Sequence, residues 1–144
     1  MVCFLVVAAS GLLWPILSGH GRLAHWLRTG RDEANPPHPE AAISECCATI
    51  AEAAHGSRIC VTCGDKGAAY WNSGQLVTAP APQVEVRDTV GAGDAFMAGL
   101  MCGLTRKQDA RLVLENACRL GAYVASHNGA TPLLPPEITA LFRA

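Results

Sequence analysis

Four consecutive residues carry the densest chemical information in this 144-residue sequence: Gly91, Ala92, Gly93 and Asp94. They stand where a β-type alternation, Gln83-Val84-Glu85-Val86, gives way to helical spacing from Ala95 onward. The first backbone N–H groups of a helix lack intrahelical partners and carry partial positive charge, so a small-residue turn at this junction makes an anion site. Glycine at 91 and 93 lets the backbone approach an oxygen-rich group with no Cβ in the way, and Gly93→Val is expected to strain the turn as well as block the approach. Asp94 opposes a bound anion by its charge. It makes sense there if its carboxylate removes a proton from a substrate hydroxyl while the amides stabilise charge on a phosphoryl group in transfer. The same residues also suit a plain glycine turn in which Asp94 is only a helix-start carboxylate. No Gly-Lys-Ser/Thr follows, which excludes a P-loop.

A second constellation is the C-x-x-C of Cys60 and Cys63, inside Arg58-Ile59-Cys60-Val61-Thr62-Cys63. Residues three apart on a strand point to opposite faces, so the thiols should diverge and read as buried strand cysteines, not a redox or zinc pair. The seven cysteines are odd in number and lack the paired spacing of a zinc site or a disulfide scaffold, which implies a reducing, cytoplasmic compartment. His20, His25, His38, His55 and His127 are scattered, with no H-x-x-x-H to complete a metal set. A net charge of −1 removes the bulk attraction on which nonspecific nucleic-acid and anionic-membrane binders rely. Met1 to Leu17 carry no charged side chain, but they lack a basic n-region and are interrupted by Gly11 and Pro15. They read as a buried strand and turn, or as an abnormal start of the reading frame, in preference to a signal peptide or membrane anchor.

The elements that must position these residues alternate as in an α/β fold. Arg22 to Leu27 has weak helical spacing, and Thr29 to Pro39, with three prolines, is linker-like. Pro39 suits the first turn of a helix through Ile43, Cys46, Cys47, Ile50 and Ala54 that ends at Gly56, with the apolar run Ile59 to Cys63 next. Ala68 to Trp71 and Gln75 to Thr78 form a hairpin about Asn72-Ser73-Gly74, stopped by Ala79-Pro80-Ala81-Pro82. The helix from Ala95 to Leu104 presents a small-residue face of Ala95, Ala98, Gly99, Cys102 and Gly103. Thr105 and Gln108 have capping-box spacing for a helix over roughly Arg106 to Ser126, with Ala110, Leu114, Ala117, Gly121 and Val124 along one side. Asn128-Gly129 stops it, and Pro135 to Phe142 reads as a short terminal helix.

Asp88-Thr89-Val90-Gly91-Ala92-Gly93-Asp94-Ala95-Phe96 resembles the C-terminal signature of the ribokinase/PfkB family of carbohydrate kinases. Val61-Thr62-Cys63-Gly64-Asp65-Lys66-Gly67 looks like the family's strand-end nucleotide loop, and Gly129-Ala130-Thr131-Pro132 like its closing segment. The resemblance covers residues 56–144, a nucleotide-binding and catalytic C-terminal region; residues 1–55 match poorly, as a truncated or aberrant N-terminal segment would. It implies a three-layer ribokinase-like (Rossmann-like) α/β sheet with flanking helices, an incomplete C-terminal half with a β-hairpin edge. By the same resemblance Asp94 matches the catalytic base, and Gly91, Ala92 and Gly93 the anion hole. Thr62, Gly64 and Gly67 fall where the family holds ATP, and Cys118 where an Asn or His often borders the adenine. Asp88 and the carbonyl of Val90 fall where many members bind a monovalent cation, often K+, with further carbonyls near Val124, His127 and Gly129.

The sequence departs from the family pattern in three ways. Leu133 replaces a hydroxyl that some members offer to the cation, and Cys118 replaces the adenine-bordering Asn or His. The N-terminal half that carries most sugar contacts has no counterpart here, nor does the N-x-x-E that positions Mg2+; Ser18 to Arg22 offers no carboxylate. The leading expectation is an ATP-dependent kinase for a sugar of fructokinase or ribokinase type, with Mg2+ carried mainly by the nucleotide. A noncatalytic nucleotide-binding remnant is the alternative. A third reading is a fragment whose exposed sheet edge pairs with another chain, a homodimer included.

Overall fold

Ile59 and Val61 alternate with Cys60 along one strand, and Ala69 and Trp71 alternate with Tyr70 along another. That period of two places Ile59, Val61, Ala69 and Trp71 on one sheet face, where they form a buried cluster with Ile43, Cys47 and Ala51. The last three recur every four residues and are helical, so one helix stripe meets one sheet face. The computed structural model describes residues 4–8, 43–45, 47, 48, 51 and 58–143. The Arg22 to Leu27 helical spacing, the Thr29 to Pro39 linker and the expected core positions Cys46, Ile50 and Ala54 lie outside them.

Four strands form one sheet in sequential order: β1 (Phe4–Ala8), β2 (Arg58–Thr62), β3 (Ala68–Asn72) and β4 (Gln75–Ala79). Pairing of β1 with β2 is parallel, with Phe4 opposite Arg58 and Ala8 opposite Thr62. The five residues between β2 and β3 are too few for a parallel crossover, so the sheet turns antiparallel there. Between β3 and β4 the expected hairpin is present, with Asn72 ending β3 so that two residues make the connection. Ser73 (φ 50°) and Gly74 (φ 85°) both take positive φ, the twist-matched solution for so short a connection. Cys60 is buried and Cys63 half-buried; Cys63 packs against the cluster of Ile59 and Val61 and Cys60 stands on the other face, so the C-x-x-C thiols diverge and form no disulfide.

The chain divides into two compact units, one of residues 1–63 and 69–77, the other of 64–68 and 78–144. The second contains α1 (Ala92–Thr105), α2 (Ala110–Ala125) and the short α3 (Pro136–Ala140). Glycines set how closely α1 lies to its neighbours: a Cβ at Gly103 would meet the Val113 side chain at 2.6 Å, and one at Gly99 would meet Phe142 at 3.1 Å and Ala117 at 3.3 Å. The buried stripe of α1 is Phe96, Gly99, Leu100 and Gly103. It shares Gly99 and Gly103 with the expected small-residue face, but Ala98 is exposed and Ala95 and Cys102 are half-buried. On α2 the expected side is found: Leu114, Ala117, Gly121 and Val124 are buried, with Val113 and Leu120.

Two local expectations are corrected. Thr105 does not cap α2; it is the last residue of α1, and its hydroxyl donates to the Cys102 carbonyl. Lys107 then reverses the chain at φ 56°, which moves the cap to Asp109. The Asp109 carboxylate accepts from the N–H groups of Arg111 (3.0 Å) and Leu112 (3.1 Å). The alternation Gln83 to Val86 belongs to no strand, and Val86 is 59% exposed. Alternation makes a strand only where a neighbour takes up the backbone hydrogen bonds, and no described strand lies alongside.

Candidate active site

The turn into α1 is built around one backbone conformation. Gly91 caps the helix in the left-handed region (φ 79°, ψ −9°) and brings no side-chain cap. A Cβ there would lie 2.6 Å from the Ala130 carbonyl oxygen and 2.7 Å from the Ala130 Cβ, so glycine is required by conformation and by space. The Gly91 carbonyl accepts the Ala95 N–H at 2.9 Å, and the Ala92 N–H donates to Thr89 at 3.3 Å. Among the described residues nothing accepts from the N–H groups of Gly93 and Asp94, the second and third helical residues. Two adjacent amides thus stand open at the positive end of a 14-residue helix.

Asp94 is exposed, and among the described residues its carboxylate makes no hydrogen bond or ion pair. Gly93 is exposed as well; its φ is not positive, and a Cβ would meet nothing within 4 Å. The strain expected from Gly93→Val therefore belongs to Gly91. At 93 a side chain would fit the fold and obstruct only what approaches the amides.

Asp88 ties this turn to the closing segment. Its Oδ1 accepts the Val90 N–H at 3.0 Å and its Oδ2 accepts the Gly129 N–H at 3.1 Å. These two amides, Val90 first, hold the Asp88 carboxyl below the ordinary carboxylate range. The N–H groups of Arg87 and Asp88 both donate to the Ala125 carbonyl at the end of α2. Gly121, one turn back on α2, passes under the turn, where a Cβ would meet the Ala92 carbonyl at 3.1 Å.

The other expected residues fall as follows. Val124 is buried and its carbonyl accepts the His127 N–H at 3.0 Å. His127 is half-buried, its Nδ1 2.8 Å from the Tyr123 carbonyl. Val90 is 61% exposed, and among the described residues the carbonyls of Val90 and Gly129 accept no hydrogen bond. Cys118 lies in the buried face of α2. Thr62 closes β2 in the first unit. Gly64 (φ 60°) opens a 3-10 turn and Gly67 (φ 105°) follows it, where a Cβ would overlap the Ala79 carbonyl. The structure thus brings Asp88, Val90, Gly91 and Gly129 into one hydrogen-bonded turn, while Gly64 and Gly67 shape another. Among the described residues no three His, Cys, Asp or Glu side chains gather for a metal ion, so any ion at this turn would be held mainly by backbone oxygens. Sequence reasoning missed Ala125 and Tyr123, and gave Ala130 only as part of the closing segment. Only Tyr123 left a signal, its helical i, i+4 spacing to His127.

The family model for pfkB family carbohydrate kinases matches residues 20–137, more than half of the chain. The chain belongs to the pfkB family. Fructokinase-1 of Oryza sativa subsp. japonica is 34% identical over 90 residues, covering 56% of this chain and 27% of that protein. Among solved structures, ribokinase from Cryptococcus neoformans var. grubii serotype A in complex with ADP superposes with a TM-score of 0.64 at 24% identity, over 88% of this chain and 40% of that one. Phosphofructokinase-2 from Escherichia coli in complex with potassium gives a TM-score of 0.66 at 15% identity, over 96% and 40%. These likenesses show the fold, a part of the ribokinase-like α/β architecture. The chain spans about a quarter to a third of the length of the curated relatives it matches. No helix among the described residues is long and apolar enough to cross a membrane.

Proposed function

We propose that this pfkB-family chain carries the phosphoryl-transfer end of an ATP-dependent carbohydrate kinase. One observation carries the reading: the unpaired Asp94 carboxylate stands beside two open backbone amides on the same helix turn. A base and an anion receptor in adjacent positions suit the two demands of transfer to an alcohol. Asp94 takes the hydroxyl proton as the sugar oxygen bonds to phosphorus and the bond to the ADP oxygen breaks. In place of the Gly91 to Gly93 amides expected from the sequence, the N–H groups of Gly93 and Asp94 stabilise the charge on the equatorial oxygens, because the Ala92 N–H is already engaged by the Thr89 carbonyl.

Gly64, Gly67 and the Cys118 stretch of α2 are assigned to the nucleotide, in keeping with the ADP complex of the similar ribokinase. Mg2+ would accompany the nucleotide phosphates. The anionic Asp88 and the unbonded carbonyls of Val90 and Gly129 suit a K+ ion, and one similar structure is a potassium complex. Such an ion would add positive potential behind the anion hole. The Val124 carbonyl already accepts the His127 N–H and would support such an ion through the helix end, while the His127 carbonyl, like those of Val90 and Gly129, accepts no hydrogen bond among the described residues. A hexose or pentose of fructokinase or ribokinase type is the substrate class.

The test is ADP release by the purified chain with Mg2+, K+, ATP and a panel of sugars including fructose and ribose, against an Asp94→Asn blank. Sugar-dependent release that disappears in the blank is expected. Nucleotide binding with no release beyond the blank would instead establish a noncatalytic nucleotide-binding chain.

A further inference from the structure

The segment that presses on Gly91 is held at both ends. At one end the Gly129 N–H donates to Asp88; at the other the Tyr123 hydroxyl donates to the Leu133 carbonyl at 2.9 Å, across ten residues. Between them lies Ala130, whose backbone and Cβ occupy the space a Gly91 side chain would need. The Tyr123 ring is itself seated. Its centroid is 4.3 Å from that of His127, with the planes tilted by 36°. His127 is held in turn, its Nδ1 2.8 Å from the Tyr123 carbonyl and 3.0 Å from the Ser126 hydroxyl. The Ser126 hydroxyl donates to the same carbonyl at 2.7 Å.

Resting on the kinase reading above, we propose that Tyr123 is a positioning residue for the phosphoryl site. Its hydroxyl latches residues 129–133 as a strap over Gly91, and the strap keeps the Gly93 and Asp94 amides aimed at the transferred group. Tyr123 touches no reacting atom in this scheme. It acts through Leu133, then Ala130, then Gly91. In this scheme the His127 ring restrains the Tyr123 side chain, where a free tyrosine on a helix end would exchange its carbonyl for water.

The experiment compares the unmodified chain with Tyr123→Phe, which keeps the ring and removes one hydroxyl. Two readouts are taken: amide hydrogen exchange at Gly129, and affinity for Mg2+ complexes of ADP and of a nonhydrolysable ATP analogue. The expected result is Gly129 exchange faster by about three- to tenfold, the scale of one hydrogen bond. The analogue should weaken by a similar factor with ADP unchanged within about twofold, because only the terminal phosphate reaches the amides. His127→Ala, which removes the ring beneath Tyr123, should move both readouts the same way and serves if the first variant folds poorly. Unchanged Gly129 exchange in both variants overturns the latch. Equal weakening of ADP and analogue overturns the positioning role and reduces Tyr123 to support of the fold. An unmodified chain that binds neither nucleotide overturns the kinase reading and the proposal with it, a result distinct from failure of the latch alone.

Discussion

Helices α1 and α2 begin in opposite ways although they pack against each other. At α2 the Asp109 side chain accepts two first-turn amides, a closed end whose donors are used within the fold. At α1 the cap is Gly91, no side chain intervenes, and the corresponding amides of Gly93 and Asp94 are left without acceptors. Capping a helix is worth about 1 kcal/mol, so an end left open gives up stability for a donor pair that can serve something else. The carboxylates show the same contrast: Asp109 is turned back onto its own helix, whereas Asp94, third in α1, is turned to solvent.

Asp94→Asn should break the comparison most severely. Sugar-dependent ADP release should fall by about a hundredfold or more, the usual share of a general base, with nucleotide affinity kept within a few fold. Loss of nucleotide binding in that variant would show Asp94 to be structural. Gly91→Val comes next, because it combines a left-handed φ with overlap on Ala130; a stability loss of about 2–5 kcal/mol in urea unfolding is expected, with loss of nucleotide binding. Asp109→Ala opens the closed end. It should cost about 1 kcal/mol, read as a lower melting temperature, and leave nucleotide affinity unchanged.

Gly93→Ala sharpens the contrast further, since the two properties should move in opposite directions. Its Cβ meets nothing in the protein, and alanine in a helix gains about 0.5 kcal/mol over glycine, so melting should rise slightly while nucleotide affinity falls. A fall in both would place Gly93 in the packing rather than at an anion site. The smallest effect concerns pH. The Asp88 carboxyl is held below the ordinary carboxylate range by the Val90 and Gly129 amides. A depressed carboxylate stabilises the fold fully above its unfolded pKa, and that contribution is lost as pH falls through the lower folded value. Melting followed from pH 6 down to pH 2 should therefore fall more shallowly for Asp88→Asn than for the unmodified chain. Equal slopes would mean that the two amides do not favour the charged form.

Legibility from sequence tracked how local the physics is. The hairpin was readable because Asn72-Ser73-Gly74 is a short turn whose residue types tolerate positive φ. The divergence of Cys60 and Cys63 followed from strand periodicity alone. The start of α2 was misread because Thr105 and Gln108 have the spacing of a capping box, while Lys107 adopts a left-handed conformation that no residue-type preference announces. Gln83 to Val86 alternates without a ladder, since pairing depends on a neighbour and not on the segment itself.

By itself the sequence determined the chemistry of the turn: two glycines and an aspartate at a helix start, in a nine-residue signature specific enough to name a family. Those properties reside in residue types and in short-range backbone preference. Only the tertiary structure decided which glycine is indispensable, which amides stay open and what holds them. Ala130 meets Gly91 from 39 residues along the chain, and Asp88 reaches Gly129 across 41. Contacts at that separation are set by where α2 ends and how its following segment folds back, and no local preference in either partner encodes the meeting.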